Sequence, residues 1–456
     1  MAAISRTIFR EYDIRGLVDQ DLTEDAVRLV GRALGTEVRE KGGRRVVVGR
    51  DCRESGPRFA LAMIDGLVST GVDVTDLGVV PTPLTYFAAA TLPVDGLVMI
   101  TGSHNPPEYN GLKVGVGKST LHGDGIQALW RRIAADGFSR GSGKVDTHDI
   151  VTPYLAFVRK NLKLGPRRLK VVVDAGNGTG GVIAVPLFRS MGIDVVPLFV
   201  EMDGRFPNHH PDPTVEKNLE FLKAKVLSTG ADLGIAYDGD ADRVGAVDEK
   251  GKVLWGDQLM ILFSRAVLAE NPGAAIVGEV KCSKTLYDDI AARGGRGIMW
   301  KAGHSLIKAK MKEEGALLAG EMSGHIFFAH RWFGFDDGIY SSGRLLELVS
   351  HTDRPVSTLL ADVPRTFSTP EIRYDCPEEM KFELVRRAQE WFAARHEAVT
   401  VDGVRVLFPD GWGLVRASNT QPLLVLRFEA QTPERLAEIQ SMITSKVDEL
   451  KRDLGG

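Results

Sequence analysis

The chain of 456 residues is poor in cysteine, in net charge and in uninterrupted apolar sequence, and each scarcity removes a class of function. Its three cysteines, Cys52, Cys282 and Cys376, are an odd, scattered set that fits neither a disulfide framework nor a zinc site. A reducing cytoplasm is the compartment this predicts. With 57 basic and 60 acidic residues the formal charge is -3, so no global field draws nucleic acid or an anionic membrane, and any attraction for phosphate must be local. Pro, Gly or charge interrupts every apolar stretch before it could span a bilayer, and residues 1–10 hold no apolar signal core. The length exceeds a single core and suggests about three domains.

What is present alternates β-rich runs with helical patterns. Val46-Val47-Val48 leads to a helix-like stretch over 57–69 and a run at 72–74; Val171-Val172-Val173 leads to a Gly-rich loop over 175–181; a run over 275–280 opens a third unit, with a helix-like segment over 305–314. These units read as diverged repeats and predict α/β domains. The glycine loop lacks the G-x-G-x-x-G spacing of a dinucleotide site, so its expected role is close packing of backbone. Beyond a Pro/Ser/Thr-rich stretch at 363–370 the pattern changes to a helix over 380–394, a hairpin around Pro409-Asp410-Gly411 and a helical end over 433–454, an α+β module.

Four strings carry chemistry. Thr101-Gly102-Ser103-His104-Asn105-Pro106 follows the apolar run 96–100 and sets a hydroxyl on a loop at a strand end, with His104 beside it and Lys113 downstream to handle protons and phosphate charge. Asp238-Gly239-Asp240-Ala241-Asp242-Arg243 follows the run 233–237, and three carboxylates this close call for a hard cation. An EF-hand is excluded, because Arg243 stands where that loop needs Gly and the flanks read as strands. Mg²⁺ fits better; an aspartyl phosphatase with Asp238 as nucleophile is the competing reading. Gly320-Glu321-Met322-Ser323-Gly324-His325 groups donors and acceptors of the kind that read sugar hydroxyls. Arg416-Ala417-Ser418-Asn419-Thr420-Gln421 offers a planar fork and donors for phosphate.

In this order the strings resemble the α-D-phosphohexomutase superfamily, and most closely its bacterial phosphomannomutase/phosphoglucomutase group. The resemblance runs the length of the chain, from Phe9-Arg10-Glu11-Tyr12-Asp13-Ile14-Arg15 through Phe206-Pro207-Asn208-His209, Lys281-Cys282-Ser283, Lys301-Ala302-Gly303-His304 and Phe335-Asp336-Asp337-Gly338 to the Arg416 loop. It implies an α/β fold of three similar mixed α/β domains, 1–149, 150–251 and 252–363, followed by a smaller α+β domain, 364–456, around a central cleft. The implied reaction moves phosphate between the 1- and 6-positions of mannose and glucose phosphates through a phosphoserine and a hexose 1,6-bisphosphate. Ser103 would carry the phosphate and, with Asp238, Asp240 and Asp242, hold one Mg²⁺. Lys113, His104, Arg243 and His325 would serve the transfer, with Lys113 and His325 as the acid and base. Tyr12, Arg15, Lys281, His304, Glu321, Ser323 and His325 would bind the sugar phosphate, while Arg416, Ser418, Asn419 and Thr420 clamp the phosphate that is not reacting. The expected partners are hexose phosphates alone, with no nucleic acid and no membrane, and the expected state is a monomer, with a dimer as the alternative. Phosphoglucosamine mutase is the neighbouring possibility, whose loop typically carries Gln at the Met322 position; an aspartyl sugar phosphatase and a noncatalytic sugar-phosphate sensor stand further off.

Overall fold

Valine-rich runs become buried strands and the stretches between them helices, and the computed structural model describes residues 4–418 and 422–455. Its strands form four sheets. The first three contain the same four-strand unit, ordered fourth, third, first, second. In the first sheet these strands are Tyr109–Val116, Gly96–Ile100, Arg45–Arg50 and Asp73–Val79. In the second they are Val244–Asp248, Leu233–Tyr237, Lys170–Asp174 and Asp194–Leu198, and in the third Ile326–Phe328, Leu318–Gly320, Ala275–Glu279 and Arg296–Trp300. In each unit three strands are parallel and the fourth runs antiparallel to the third. The diverged repeats read from the sequence are therefore repeats in space.

The consequence for function lies in the turn from third strand to fourth. In the first repeat that turn is the Ser103 loop, in the second the Asp238 loop, in the third the Glu321 loop. Each leaves the carboxyl end of a parallel strand, where α/β sheets present their ligand-binding groups. Ile14–Leu17 pairs with Tyr109–Val116 and carries Arg15 to the same edge. The fourth sheet, with strands from Phe367–Ser368 to Leu423–Ala430, is antiparallel throughout and covered by the helices Glu378–Ala393 and Pro433–Asp453.

One apolar cluster, from Val47 to Leu359, runs through all three repeats, whereas the fourth sheet has its own, around Phe392, Phe428 and Ile443. The joint between them is a small patch of Val280, Trp412 and Leu414. The second sheet reaches further than expected, because Val253–Leu254 pairs with Val244–Asp248 and so lies beyond a boundary at 251. The glycine loop after Val173 packs backbone against backbone, for a Cβ on Gly178 would stand 2.6 Å from the Gly239 carbonyl oxygen. No described helix is long and apolar enough to cross a membrane.

Candidate active site

Ser103 is buried, at φ 50°, and its Oγ donates to Asp238 Oδ2 at 2.9 Å while lying 3.2 Å from His104 Nδ1. A Cβ on Gly239 would meet the Ser103 carbonyl oxygen at 2.5 Å, so the serine and aspartate loops touch only because that position is glycine. Asp238, Asp240 and Asp242 are fully buried, with one oxygen of each within 4.8 Å of the others. Burial and the two neighbouring carboxylates push Asp238 well above the usual carboxylate range, which marks too little positive charge at that oxygen. Asp240 Oδ1 meets no hydrogen-bond donor among the described residues. An all-oxygen, buried donor set with a spare oxygen fits a hard divalent ion such as Mg²⁺.

Lys113 lies under this cluster. Its Nζ donates to Asp240 Oδ2 at 3.0 Å and to Asp242 Oδ2, and Thr82 Oγ1 donates to the same Asp240 oxygen at 2.5 Å. Burial disfavours the ammonium, but Asp240 and Asp242 outweigh it and hold the group well above its ordinary value. In this arrangement Lys113 stays charged, so it neutralises or donates and does not accept a proton. His104 is the opposite case: burial first, then Arg243 and Arg15, keep its imidazole neutral well below the usual range.

The third-repeat loop closes over the second. Arg243 and His325 form an isolated antiparallel bridge between the two. His325 Nε2 lies 3.2 Å from Asp242 Oδ1 and 3.3 Å from Arg243 Nε, and its Nδ1 lies 2.9 Å from Glu321 Oε2 and 3.0 Å from Ser323 Oγ. Burial opposes the imidazolium, yet Asp242 and Glu321 prevail and raise His325 to about 9. Arg243 Nε donates to His325 Nε2, which therefore stands between a guanidinium and the Asp242 carboxylate. Arg243 also lies 3.8 Å from Asp238 and 3.9 Å from Asp212. Glu321 is pushed up by burial but held at about 2 by His325, Lys281 and the Gly303 N–H, which donates to its Oε1 at 2.6 Å. The two residues expected to read sugar hydroxyls, Glu321 and Ser323, thus both also hold His325.

The remaining candidates line the way to the fourth sheet. Tyr12 Oη donates to the Ala302 carbonyl at 2.8 Å, and the ring fills the space where a Cβ on Gly303 would sit. Arg15 bonds Asp13 at 2.5 Å and Asn105 Oδ1 at 3.2 Å. His304 stacks on His325 with ring centres 5.5 Å apart. Lys281 bridges Glu371 at 2.7 Å and Glu279 at 3.4 Å. Arg416 lies within the strand Gly411–Ala417 and not on the loop after it, and its Nε donates to Asp402 Oδ2 at 2.9 Å. That same oxygen accepts from the Ala302 N–H at 3.1 Å. Ser418 is buried, its carbonyl accepting from Lys381 Nζ at 2.7 Å; Asn419 and Thr420 lie outside the described residues. An unbroken series of contacts therefore links Ser103 through Asp238, Arg243, His325, Glu321, Gly303 and Ala302 to Asp402 and Arg416.

Sequence reasoning left out the supports. Asp336 is fully buried, accepts from Lys308 Nζ at 2.9 Å and has Oδ2 3.3 Å from His304 Nδ1. Its place in the string Phe335-Asp336-Asp337-Gly338 was a signal that could have found it. Asp402 and Lys308 stand in no motif.

Four family domains match the chain, described as the phosphoglucomutase/phosphomannomutase alpha/beta/alpha domains I, II and III, over residues 6–140, 152–251 and 255–367, and the C-terminal domain over 371–446. A phosphomannomutase/phosphoglucomutase of Pseudomonas aeruginosa is 50% identical over 97% of this chain and 95% of its own. A phosphoglucomutase of Neisseria meningitidis is 46% identical over 98% of each. The crystal structure of a phosphoglucomutase/phosphomannomutase family protein from Burkholderia thailandensis superimposes with a TM-score of 0.93 at 46% identity, covering 98% of both chains. With every domain matched in order and the relatives aligned along nearly the whole length, the chain belongs to the phosphoglucomutase/phosphomannomutase family of the α-D-phosphohexomutase superfamily.

Proposed function

We infer that the chain is a hexose-phosphate mutase that interconverts the 1- and 6-phosphates of mannose and glucose through phospho-Ser103 and a hexose 1,6-bisphosphate. The observation that carries this reading is the Ser103 hydroxyl 2.9 Å from Asp238 Oδ2 at one end of a polar path that ends at Arg416. A nucleophile beside a carboxylate cluster, with a separate arginine at a distance, suits a substrate bearing phosphate at both ends. In one half-reaction a sugar hydroxyl attacks the phosphorus of phospho-Ser103; the bond to Oγ breaks, a bond to the sugar oxygen forms, and the hydroxyl proton passes by way of His325 to the Oγ that departs. In the other, Oγ takes back the phosphate from the opposite end and the sugar oxygen regains a proton. His325, favoured as an imidazolium by Asp242 and Glu321, gives its proton to the departing oxygen in each half-reaction and takes one back from the attacking hydroxyl. Lys113 remains an ammonium and balances charge. Asp238, Asp240 and Asp242, with Ser103, would hold one Mg²⁺, which when bound neutralises phosphate oxygens. We assign Arg243 to the transferring phosphate, and Arg416 with Ser418, Asn419 and Thr420 to the distal one. Tyr12, Arg15, Lys281, His304, Glu321 and Ser323 hold the rest of the substrate.

We place the enzyme in the cytoplasm, a reading supported by three unpaired cysteines, and expect a monomer, with a dimer as the alternative. The test is intact-protein and peptide mass spectrometry after incubation with glucose 1,6-bisphosphate, with a coupled assay on mannose, glucose and glucosamine 1-phosphates. Phosphate on Ser103 and comparable turnover of the two neutral sugars are expected. Phosphate on Asp238 would make the chain an aspartyl phosphatase, and a strong preference for glucosamine phosphate would overturn the mannose and glucose assignment.

A further inference from the structure

We propose that Arg53 is the positioning residue of the nucleophile loop: it holds the Ser103 turn in its transfer-competent shape by drawing the loop's carbonyl oxygens onto one buried guanidinium. The inference rests on the mutase reading and adds to it a residue that touches no substrate. The Arg53 side chain is wholly buried, and each of its five N–H groups has a partner. Nη1 donates to the carbonyls of Pro106 at 2.6 Å and Tyr109 at 2.8 Å, and Nη2 to those of Ser103 at 2.9 Å and Asn105 at 2.5 Å. Nε faces Asp51 Oδ2 at 3.2 Å, and the same carboxylate accepts from Thr101 Oγ1 at 2.7 Å and the Gly102 N–H at 3.2 Å. Asp51 and Arg53 together therefore bind the loop from 101 to 109 on its inner side.

Three consequences follow from this geometry. No donor of Arg53 remains for phosphate, so its action must pass through the loop. Carbonyl dipoles aimed at the guanidinium are not aimed at the cleft, which spares the phosphate on Ser103 the repulsion of four partial negative charges. And Ser103 sits at φ 50°, a conformation that a non-glycine residue keeps only where its surroundings impose it. Arg53 also reaches the second repeat, with the Phe206 ring 5.2 Å from its guanidinium carbon and no room for a Cβ on Gly204 beside its Cα. The serine turn is thus fixed relative to the aspartate loop as well as within itself. A lysine could not substitute, having three donors on one point where the site uses a planar fork of five.

The experiment compares the full-length parent with Arg53→Lys and with the double variant Asp51→Asn/Arg53→Gln, which leaves no buried charge unpaired. Amide exchange over 103–109 should quicken at least tenfold while that of the 238–243 and 321–325 loops stays unchanged. In steady state kcat should fall a hundredfold or more with the KM for glucose 1-phosphate within tenfold, because Arg15 is the one assigned substrate contact bonded to this loop while Lys281, Glu321, Ser323 and Arg416 lie on other sheets. Arg53→Lys should recover less than a tenth of the lost rate. If the charge variants do not fold, Gly102→Ala gives the same answer, since its Cβ would stand 2.4 Å from the Arg53 guanidinium carbon and displace it with its charge intact. Exchange unchanged over 103–109, or kcat within threefold of the parent, overturns the proposal. Exchange needs no turnover, so a parent without mutase activity would sink the functional reading while this inference is still judged on the loop.

Discussion

Replacing Lys113 by Met would remove the one ammonium that donates to both Asp240 and Asp242 and leave their oxygens facing methylene groups. At 3.0 Å and an effective dielectric of about 20 the attraction to Asp240 alone is roughly 5 kcal/mol. Part of this is offset by the desolvation of the ammonium, which the substitution relieves. Removing one partner of a buried pair typically costs about 3–5 kcal/mol, and that is the loss of folding free energy expected for the metal-free protein. Thr82 still donates to Asp240, which keeps the figure toward the lower end. The same substitution takes away a cation that shares the carboxylates with any bound Mg²⁺, so Mg²⁺ should bind at least about tenfold more tightly and restore part of the lost stability. Catalysis should nonetheless fall by about a hundredfold or more, because a buried charge at the transferring phosphate is gone. Urea unfolding followed by tryptophan fluorescence, with and without Mg²⁺, together with calorimetric Mg²⁺ titration, measures all of this. A variant within about 1 kcal/mol of the parent without metal, and with unchanged Mg²⁺ affinity, would show that Lys113 is not electrostatically coupled to the cluster.

Asp337 caps the helix Gly338–Ser350, and burial, only partly offset by the Tyr340 N–H and the Tyr154 hydroxyl, raises it to about 7. A carboxyl whose folded value exceeds its unfolded one loses stabilisation as pH rises from about 4 to 7. Asp337→Asn should therefore gain up to roughly 4 kcal/mol over the parent at pH 8 and almost nothing at pH 4, read from unfolding at both pH values. Gly239→Ala, whose Cβ would stand 2.5 Å from the Ser103 carbonyl oxygen, should part the serine and aspartate loops, costing about 1–3 kcal/mol and most of the activity; unaltered turnover would mean the loops have slack. Arg416→Ala should raise the KM for hexose phosphates more than tenfold while single-turnover phosphorylation of Ser103 by the bisphosphate slows less, because Arg416 meets Asp402 and not the serine loop.

The parts of the site that could be read from the sequence are those written as contiguous strings at strand ends, namely Ser103, the three aspartates, Glu321 with His325, and Arg416. The first three strings each sit on one turn between two strands, so their spacing already carries the local geometry, whereas Arg416 stands inside a strand. The supports could not be read this way. Asp402 reaches Ala302, a hundred positions back, and Arg53 reaches Ser103, fifty positions on, through contacts that only the folded sheets create. Strand order was similarly hidden, because the third strand of each repeat pairs with the first and not with the second, which precedes it in sequence. Short edge strands such as Val253–Leu254 carry too few residues to show a period of two. The proton roles depended on environment: nothing in the string around Lys113 indicates two buried carboxylates pressed against its ammonium.

The three equivalent turns explain how one architecture came to supply three different functions. A fourth strand antiparallel to the third forces a tight return at the carboxyl end of the sheet, and in the three repeats that return carries Ser103, the Asp238, Asp240 and Asp242 cluster, and Glu321, to which the proposed reaction gives the roles of nucleophile, metal-binding triad and sugar contact. Because the repeats share one continuous core, these three groups are held in fixed relation. Arg416 is different, for its sheet has a core of its own and meets the third repeat through Val280, Trp412 and Leu414 and through the Arg405 guanidinium, which donates to the carbonyls of Val280 and Cys282 at 2.7 Å each. In the proposed reaction the chemistry is thus anchored in the three repeats, while the distal phosphate is assigned to a module joined to them by a few specific contacts. If, as proposed, the substrate presents first one end and then the other to a single serine, that division puts the contact carried by the separate module at the end where no bond is made or broken.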